Sequence, residues 1–291
     1  MSNIPATQYK TAAKLLDDTN EDFVYLATLG STSTSLISSL YELAYNRNIT
    51  LAVDVPNELT PAQAIAWKQQ TGITSHLVSF LWHPVECTDP NGVSGRVKYG
   101  TSAYRAALSC ARNAAINNMG FSKKNYAIAG RQFPVQRTGM KQLYKPKQDE
   151  VSDLAHAGIT PVIYETFSGG GLFIFADAIT ASGKGTSYLN LVNSVEIFTT
   201  LERDVARMAK ESFMFGPMEE AIKMAKRMIK AHLENAYSSG WLVVSDNLGG
   251  EPFSIDIRAN AQRPADVMNI YIQMRVEGCV RQVHITNEIV R

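Results

Sequence analysis

The sequence predicts an α/β first half, with a mixed or mostly parallel sheet flanked by helices, followed by an α+β second half with an antiparallel sheet and two long helices. Three observations carry this prediction. Apolar runs of strand length alternate with helix-length segments before residue 121, which is typical of α/β folds. Turn-forming and basic residues interrupt the pattern over residues 121–147. Two long amphipathic segments and a group of strand-like runs then follow.

The first half contains three predicted strand–helix pairs. Apolar runs at residues 24–29, 49–55 and 76–82 have strand length, and the middle run is apolar enough for a strand buried on both faces. A helical pattern follows each of them, at residues 34–45, 59–67 and 101–117. Thr60 is the predicted N-cap of the second helix and Pro61 its first residue. This repeated order favours a largely parallel sheet.

The second half begins after a predicted boundary. Residues 121–147 hold several glycines and prolines, which indicates a long exposed connection. We therefore divide the chain into an N-terminal segment, residues 1–21, an α/β domain, residues 22–148, and a C-terminal domain, residues 149–291. The last of these has predicted strands at 160–166 and 172–178, joined by a turn at 168–171, helices at 190–213 and 217–237, and strands at 254–259, 267–276 and 280–290.

The bulk composition limits the possible functions. The chain has 291 residues and a formal net charge of +1, so overall charge gives no reason to expect binding to nucleic acid or to a membrane surface. No run approaches the roughly 20 apolar residues of a membrane span, and the first residues lack the apolar stretch of a signal peptide. The three cysteines form no CxxC pair, which suits a protein made in a reducing cytoplasm.

Known catalytic, metal-binding and cofactor-binding motifs are not found in the sequence. The five histidines are never at metal-ligand spacing from one another or from a cysteine. We therefore expect no catalytic residue, no metal and no cofactor. Asp54 and Asp177 lie at predicted strand ends, so an α/β enzyme with a site near these two residues is the alternative hypothesis. A monomeric binding module that uses the turn at residues 168–171 is a second alternative.

The last predicted helix carries a cluster of positive charges that we call the basic stripe, defined as Lys223, Lys226, Arg227 and Lys230. Their spacing of i, i+3, i+4 and i+7 places all four on one face of the helix. An ordinary solvated face usually mixes charges of both signs, so a stripe of one sign suggests an acidic partner. Each exposed contact contributes only ~0.2–1 kcal/mol, but repetition along a polymer adds them up.

The C-terminal run is the second candidate assembly element. Val283, Ile285 and Ile289 alternate along a predicted strand and share one of its faces. Two interpretations remain open at this point. The run is either an edge strand of its own sheet or an arm that adds a strand to the sheet of a neighbouring molecule.

Several short sequence blocks follow one another along the chain in a recognisable order. They are Asp54-Val-Pro, Ala64-Ile-Ala-Trp, Trp82-His-Pro-Val, Ala127-Ile-Ala-Gly, Leu154-Ala-His-Ala-Gly-Ile-Thr-Pro-Val and Pro264-Ala-Asp. From about residue 22 to residue 291, this order resembles the core and C-terminal domain of contractile-tail sheath proteins, the family of myophage and R-type pyocin sheaths. Two blocks depart from the family pattern. Ile128 stands where a proline is usual, and residues 177–180 lack the usual Arg-Thr pair.

The resemblance implies a structural subunit, not an enzyme, that polymerises helically around an inner tail tube. Contraction of such a sheath drives the tube through the envelope of a target cell. The implied partners are further copies of the chain, the inner tail tube protein, and baseplate and tail terminator proteins, with no nucleic acid and no membrane. The implied location is the virion tail, after synthesis in the cytoplasm of a bacterial host.

The resemblance also implies roles for the two candidate elements. The basic stripe matches the position of the helix that contacts the tube, and residues 280–291 match the C-terminal arm that interlocks subunits. It leaves open whether the chain is a complete sheath, a fragment, or a sheath-like baseplate or cap subunit.

Overall fold

The computed structural model describes residues 4–93, 95–183 and 185–281. Its helices are α1 (Ala6–Asp17), α2 (Thr34–Arg47), α3 (Pro61–Thr71), α4 (Ser102–Asn113), α5 (Gln148–His156), α6 (Val192–Met208) and α7 (Met218–Ser238). Its strands are β1 (Tyr25–Ala27), β2 (Thr50–Val55), β3 (Val78–Trp82), β4 (Val85–Thr88), β5 (Arg96–Lys98), β6 (Pro134–Val135), β7 (Lys141–Gln142), β8 (Ile159–Phe167), β9 (Gly170–Phe175), β10 (Phe253–Ala259) and β11 (Met268–Met274).

A six-stranded sheet in the order β1-β2-β3-β8-β9-β6 forms the centre of the fold. Strands β1, β2, β3 and β8 are parallel, whereas β9 and β6 continue the sheet in antiparallel pairs. Successive residues of a strand point to opposite faces, so Val53 belongs to the core formed with α2, α3 and α5, whereas Ala52 belongs to the core formed with α4. Helices therefore cover both faces of β2.

The mixed α/β class is confirmed, but the predicted two-part layout is not. Strand β8, which the sequence predicts in an antiparallel sheet of the second half, pairs in parallel with β3 through Phe80 and Ile159. The physical reason is that residues 159–162 are buried completely, as an interior strand requires, and only the following residues form the predicted hairpin with β9. The predicted boundary at residue 148 therefore lies within one sheet, and the domain limits stay a prediction.

Residues 121–147 are not simply the exposed connection that their composition predicted. Ile128 is fully buried, and its carbonyl accepts a hydrogen bond from Arg105. Strand β6 pairs with β9, and β7 pairs with β4. The prediction from composition is wrong here because the short strands pair with partners far away in the sequence, which composition does not report.

A third core lies between α6, α7 and the antiparallel pair β10–β11. Leu201 of α6, Ile229 and Leu233 of α7 and Ile257 of β10 are buried together there. The two predicted long helices and the first two predicted C-terminal strands agree with these elements, except that the first helix changes to a π-helical turn at Ala209–Phe213. The third predicted strand, with Val283, Ile285 and Ile289, falls almost wholly outside the described residues.

A buried ion pair connects α4, which packs on one face of the central sheet, with α6 of the third core. Arg112 of α4 donates to Glu196 of α6 at 2.7 Å, and both side chains are almost completely buried. Ser109 also donates to this glutamate, and Arg112 donates to the carbonyl of Tyr126. Removal of one member of such a pair leaves a buried charge unmatched, at a cost of about 3–5 kcal/mol. The ion pair therefore ties α4, which packs on the central sheet, to the two-helix layer.

Candidate assembly surface

Helix α7 is an amphipathic helix whose apolar side is packed and whose polar side is free. Ala221, Ala225, Ile229, Leu233 and Ala236 recur every three or four residues and are all buried. This side packs against α6 and β10 in the third core. Since Pro217 precedes the helix and Gly240 follows it with a φ of 74°, both ends are fixed by residues suited to helix ends.

The basic stripe lies on the exposed side of α7. All four of its side chains are exposed. Lys223, Lys226 and Arg227 make no ion pair with the part of the chain that the structure describes, whereas Lys230 Nζ lies 3.7 Å from Glu234 Oε1. A pair of this length at the surface is weak. The stripe therefore leaves at least three cations available to an acidic partner, and its role in tube binding stays a prediction.

The environment of Asp54 is that of a structural residue and not that of a catalytic acid. Its side chain is 2% exposed, and its carboxylate accepts hydrogen bonds from the backbone N–H groups of Gly30 at 2.7 Å, Thr101 at 2.7 Å and Ser102 at 2.9 Å. The hydroxyls of Thr28 and Ser102 donate to it as well. These donors fill the acceptor sites of the carboxylate, which thereby joins β2 to the first turn of α4 and to the loop after β1.

Asp177 is also engaged, with a partner that sequence reasoning missed. Arg281 Nε donates to Asp177 Oδ1 at 2.6 Å, and Arg281 Nη2 donates to the other carboxylate oxygen. This bidentate hydrogen bonding raises the pKa of Arg281 above its ordinary value. The interaction fixes the last described residue to the end of β9. No local signal could have revealed it, because the partners are 104 positions apart.

The two aspartates are not brought together as the enzyme hypothesis requires. Asp54 lies in β2 and Asp177 follows β9, with β3 and β8 between these strands in the sheet. Three interstrand spacings correspond to roughly 14 Å, which is too far for two carboxylates to act on one bond. The described residues also contain no group of three or more metal-ligating side chains, and no helix in them could cross a membrane.

Gly171, the last residue of the predicted turn at 168–171, is packed against its own hairpin, whereas residues 168–170 are exposed. The tyrosine ring of Tyr164 covers Gly171 so closely that a Cβ atom at this glycine would overlap it. The same ring makes an edge contact with Phe173, with 5.2 Å between the ring centroids. These contacts support the hairpin itself, and they give no support to the ligand-binding hypothesis for residues 168–171.

His83 directly follows β3 and is a buried histidine. It is 1% exposed, and its Nδ1 lies 2.9 Å from the carbonyl oxygen of Tyr99, so Nδ1 carries the hydrogen and donates. Burial of the ring lowers the pKa of His83 to about 4. The charged form of this ring is therefore disfavoured in the folded protein.

Acid should destabilise the fold through His83. Between pH about 6.5 and about 4 the unfolded chain binds a proton at this residue and the folded chain does not, so stability falls as the pH falls through that window, by up to about 3 kcal/mol. Urea unfolding at several pH values measures this loss. The variant His83→Gln keeps a polar side chain that cannot be charged, so its stability should depend less steeply on pH. If the free energy of unfolding falls equally steeply with pH in the two proteins, His83 is not the cause of the loss.

The combination of a mixed six-stranded sheet, two long helices and a small antiparallel sheet is the fold of sheath proteins from contractile injection systems. A chain of the PVC sheath complex, from an extracellular contractile injection system in its contracted state, matches with a TM-score of 0.72 and 16% identity, over 97% of this chain and 79% of that chain. A chain of the anti-feeding prophage baseplate matches with a TM-score of 0.70 and 15% identity, over 97% of this chain and 73% of that chain.

A sheath tail protein from Listeria innocua also matches, with a TM-score of 0.59 and 12% identity, over 94% of this chain and 61% of that chain. No protein-family model and no curated protein matches the sequence. At these low identities the likeness is one of fold. The resemblance read from the order of sequence blocks is thus confirmed as a shared fold.

Proposed function

We propose that this chain is a structural subunit of a contractile tail sheath, which polymerises helically around an inner tube and contracts to drive the tube through the envelope of a target cell. The observation that carries the proposal is the fold match to the PVC sheath complex over 97% of the chain. The subunit would be made in the cytoplasm of a bacterial host and would reside in the tail, with copies of itself, the tube protein, and baseplate and tail terminator proteins as partners. It needs no catalytic site.

The arrangement of the candidate surfaces suits a polymer. When identical subunits join through two different surfaces, each contact rotates the next subunit by a fixed angle. If these rotations do not bring the chain of subunits back to the first one, the assembly is an open helix. The ion pair between Arg112 and Glu196 supports a subunit that moves as one body, as contraction between two packings requires.

The pair between Asp177 and Arg281 supports the proposal of a C-terminal arm. It holds the chain at residue 281, immediately before the run with Val283, Ile285 and Ile289. An arm that leaves the body at a fixed point reaches a neighbour with a smaller loss of conformational entropy than an arm rooted in a mobile segment. Main-chain hydrogen bonds between the arm and a neighbouring sheet would contribute a net ~0.5–1.5 kcal/mol each.

Deletion of residues 286–291 tests the role of the C-terminal arm in assembly. The shortened chain should need at least a roughly tenfold higher concentration to assemble, because it loses several main-chain hydrogen bonds to the neighbour, each a factor of a few in affinity. Sedimentation velocity over a concentration series measures assembly, and thermal unfolding should show nearly unchanged stability. The double variant Thr286→Ala, Glu288→Ala is the control, since it keeps the chain length and the apolar face. An unchanged assembly concentration for the deletion would refute the arm.

A further inference from the structure

Phe215 is the most exposed large hydrophobic side chain in residues 4–93, 95–183 and 185–281. It is 99% exposed, and its neighbour Met214 is 50% exposed. Both belong to the short connection between the π-helical turn Ala209–Phe213 and α7. Burial of a phenylalanine is among the larger gains available to a folded chain, so full exposure of this ring is a loss for the isolated subunit.

The backbone at Phe215 is strained as well. Its φ is 65°, in the left-handed region that residues with a Cβ atom disfavour, and most of all bulky ones. Phe213 is buried before it, and the N–H of Met214 donates to the carbonyl of Ala209 at 3.0 Å. After it, the carbonyl of Pro217 accepts the N–H of Ala221 in the first turn of α7. The connection is thus anchored on both sides, and the ring between the anchors is held outward.

The surroundings of Phe215 are apolar on one side and lead to the basic stripe on the other. A groove of about 560 Å³ runs beside the ring and is lined by Met214 and Met218 and by Val267, Met268 and Ile270. Helix α7 starts three residues after Phe215, and Lys223 follows five residues further on, roughly 8 Å along the helix axis. The exposed side chains of Glu219 and Glu220 lie in the first turn of α7, between this apolar projection and the first cation of the stripe.

We propose that Phe215, together with Met214, is the apolar anchor of the tube-facing surface and inserts into an apolar recess of the tube protein. This inference rests on the proposed function. Strain and exposure persist at functional sites where a contact with another molecule compensates for them. The anchor directly precedes the helix that carries the stripe, so a tube that binds the stripe through carboxylates would cover the ring in the same contact. This continuity favours the tube over a second copy. The stripe would orient the contact and the ring would supply its central buried group.

Cosedimentation of the full chain with purified inner tubes from the same particle tests the anchor. Phe215→Ala should weaken tube binding at least about tenfold, as expected for a central aromatic residue of an interface, and Phe215→Leu should retain most of the binding. Phe215→Gly should also bind weakly, although its melting temperature should equal or exceed that of the wild type, since glycine adopts this φ without strain. Tyr45→Ala, at an exposed tyrosine of α2, is the matched control and should bind normally.

The outcomes separate the anchor from the proposed function. Normal tube binding by Phe215→Ala would overturn the anchor while the sheath function stands. A higher concentration for self-assembly of Phe215→Ala in the absence of tubes, with normal tube binding, would show that a second copy is the partner and would also overturn it. A reduced melting temperature of Phe215→Gly would show that the ring stabilises its own subunit, again against the proposal. A wild-type chain that neither assembles nor binds tubes would refute the sheath function itself.

Discussion

Reversal of three charges in the basic stripe, by Lys223→Glu, Lys226→Glu and Arg227→Glu, is expected to abolish binding to tail tubes and leave the fold intact. These side chains are exposed and make no ion pair within the described ranges, so no stabilising contact is lost. Each reversal replaces an attraction of ~0.2–1 kcal/mol by a repulsion of similar size. Since every subunit around the tube carries the same change, the losses multiply along the polymer.

Cosedimentation with tubes measures this effect, and thermal unfolding verifies the fold. Wild-type binding should also weaken with added salt, because salt screens exposed charges. A matched control reverses three exposed lysines elsewhere, Lys10, Lys14 and Lys98, and so changes the net charge by the same amount. The control should still bind tubes. Normal tube decoration by the stripe variant would rule out α7 as the tube-binding helix.

A large loss of stability is expected for Asp54→Ala. This change leaves the N–H groups of Gly30, Thr101 and Ser102 buried without their acceptor, together with two hydroxyls that donate to the same carboxylate. Removing a buried charged acceptor of several hydrogen bonds costs about 3–5 kcal/mol. Urea unfolding should show a clearly lower midpoint, with α4 and the loop after β1 losing their common attachment to β2.

The control for Asp54 is an aspartate at the surface. Asp256 is half exposed and lies 3.5 Å from the guanidinium of Arg258, so Asp256→Ala should change the stability by less than about 0.5 kcal/mol. A protein with Asp54→Ala that unfolds like the wild type would contradict the structural role. In that case, a functional role for this carboxylate would return to consideration.

Local signals explain which elements could be predicted. Helix α3 begins at Pro61 as expected, because the Thr60 hydroxyl accepts a hydrogen bond from the N–H of Gln63. In return, the Gln63 side-chain oxygen accepts one from the N–H of Thr60. The burial of β2 and the apolar side of α7 also follow from residue spacing alone. In each case the information lies within about one turn or one strand of the residue concerned.

Elements that depend on distant partners could not be predicted. The position of β8 beside β3 depends on pairing across the segment that composition marked as a boundary. Helix α1 was not foreseen, since none of its residues is buried, and Arg47 caps its end through the carbonyls of Leu16 and Asp17. These contacts join residues far apart in the chain, and no single stretch of sequence records them.

The residues of the candidate site also divide into those that local sequence signals predict and those that depend on distant partners. The spacing of the basic stripe predicted a common helix face, and all four residues are exposed on α7. The partners of Asp54 and Asp177 were not predictable, because they come from other segments. Phe215 was missed for a different reason. Residues 213–215 are apolar and look like ordinary core, and only the backbone geometry shows that the last of them points outward.

The central claim is that this molecule uses its surfaces to contact copies of itself and an inner tube. Electron microscopy of the concentrated protein incubated with purified tail tubes tests it most directly. The account predicts tubes covered by a regular helical sleeve, with the long helix Met218–Ser238 at the inner wall. Bare tubes beside single globular particles at every concentration would contradict it.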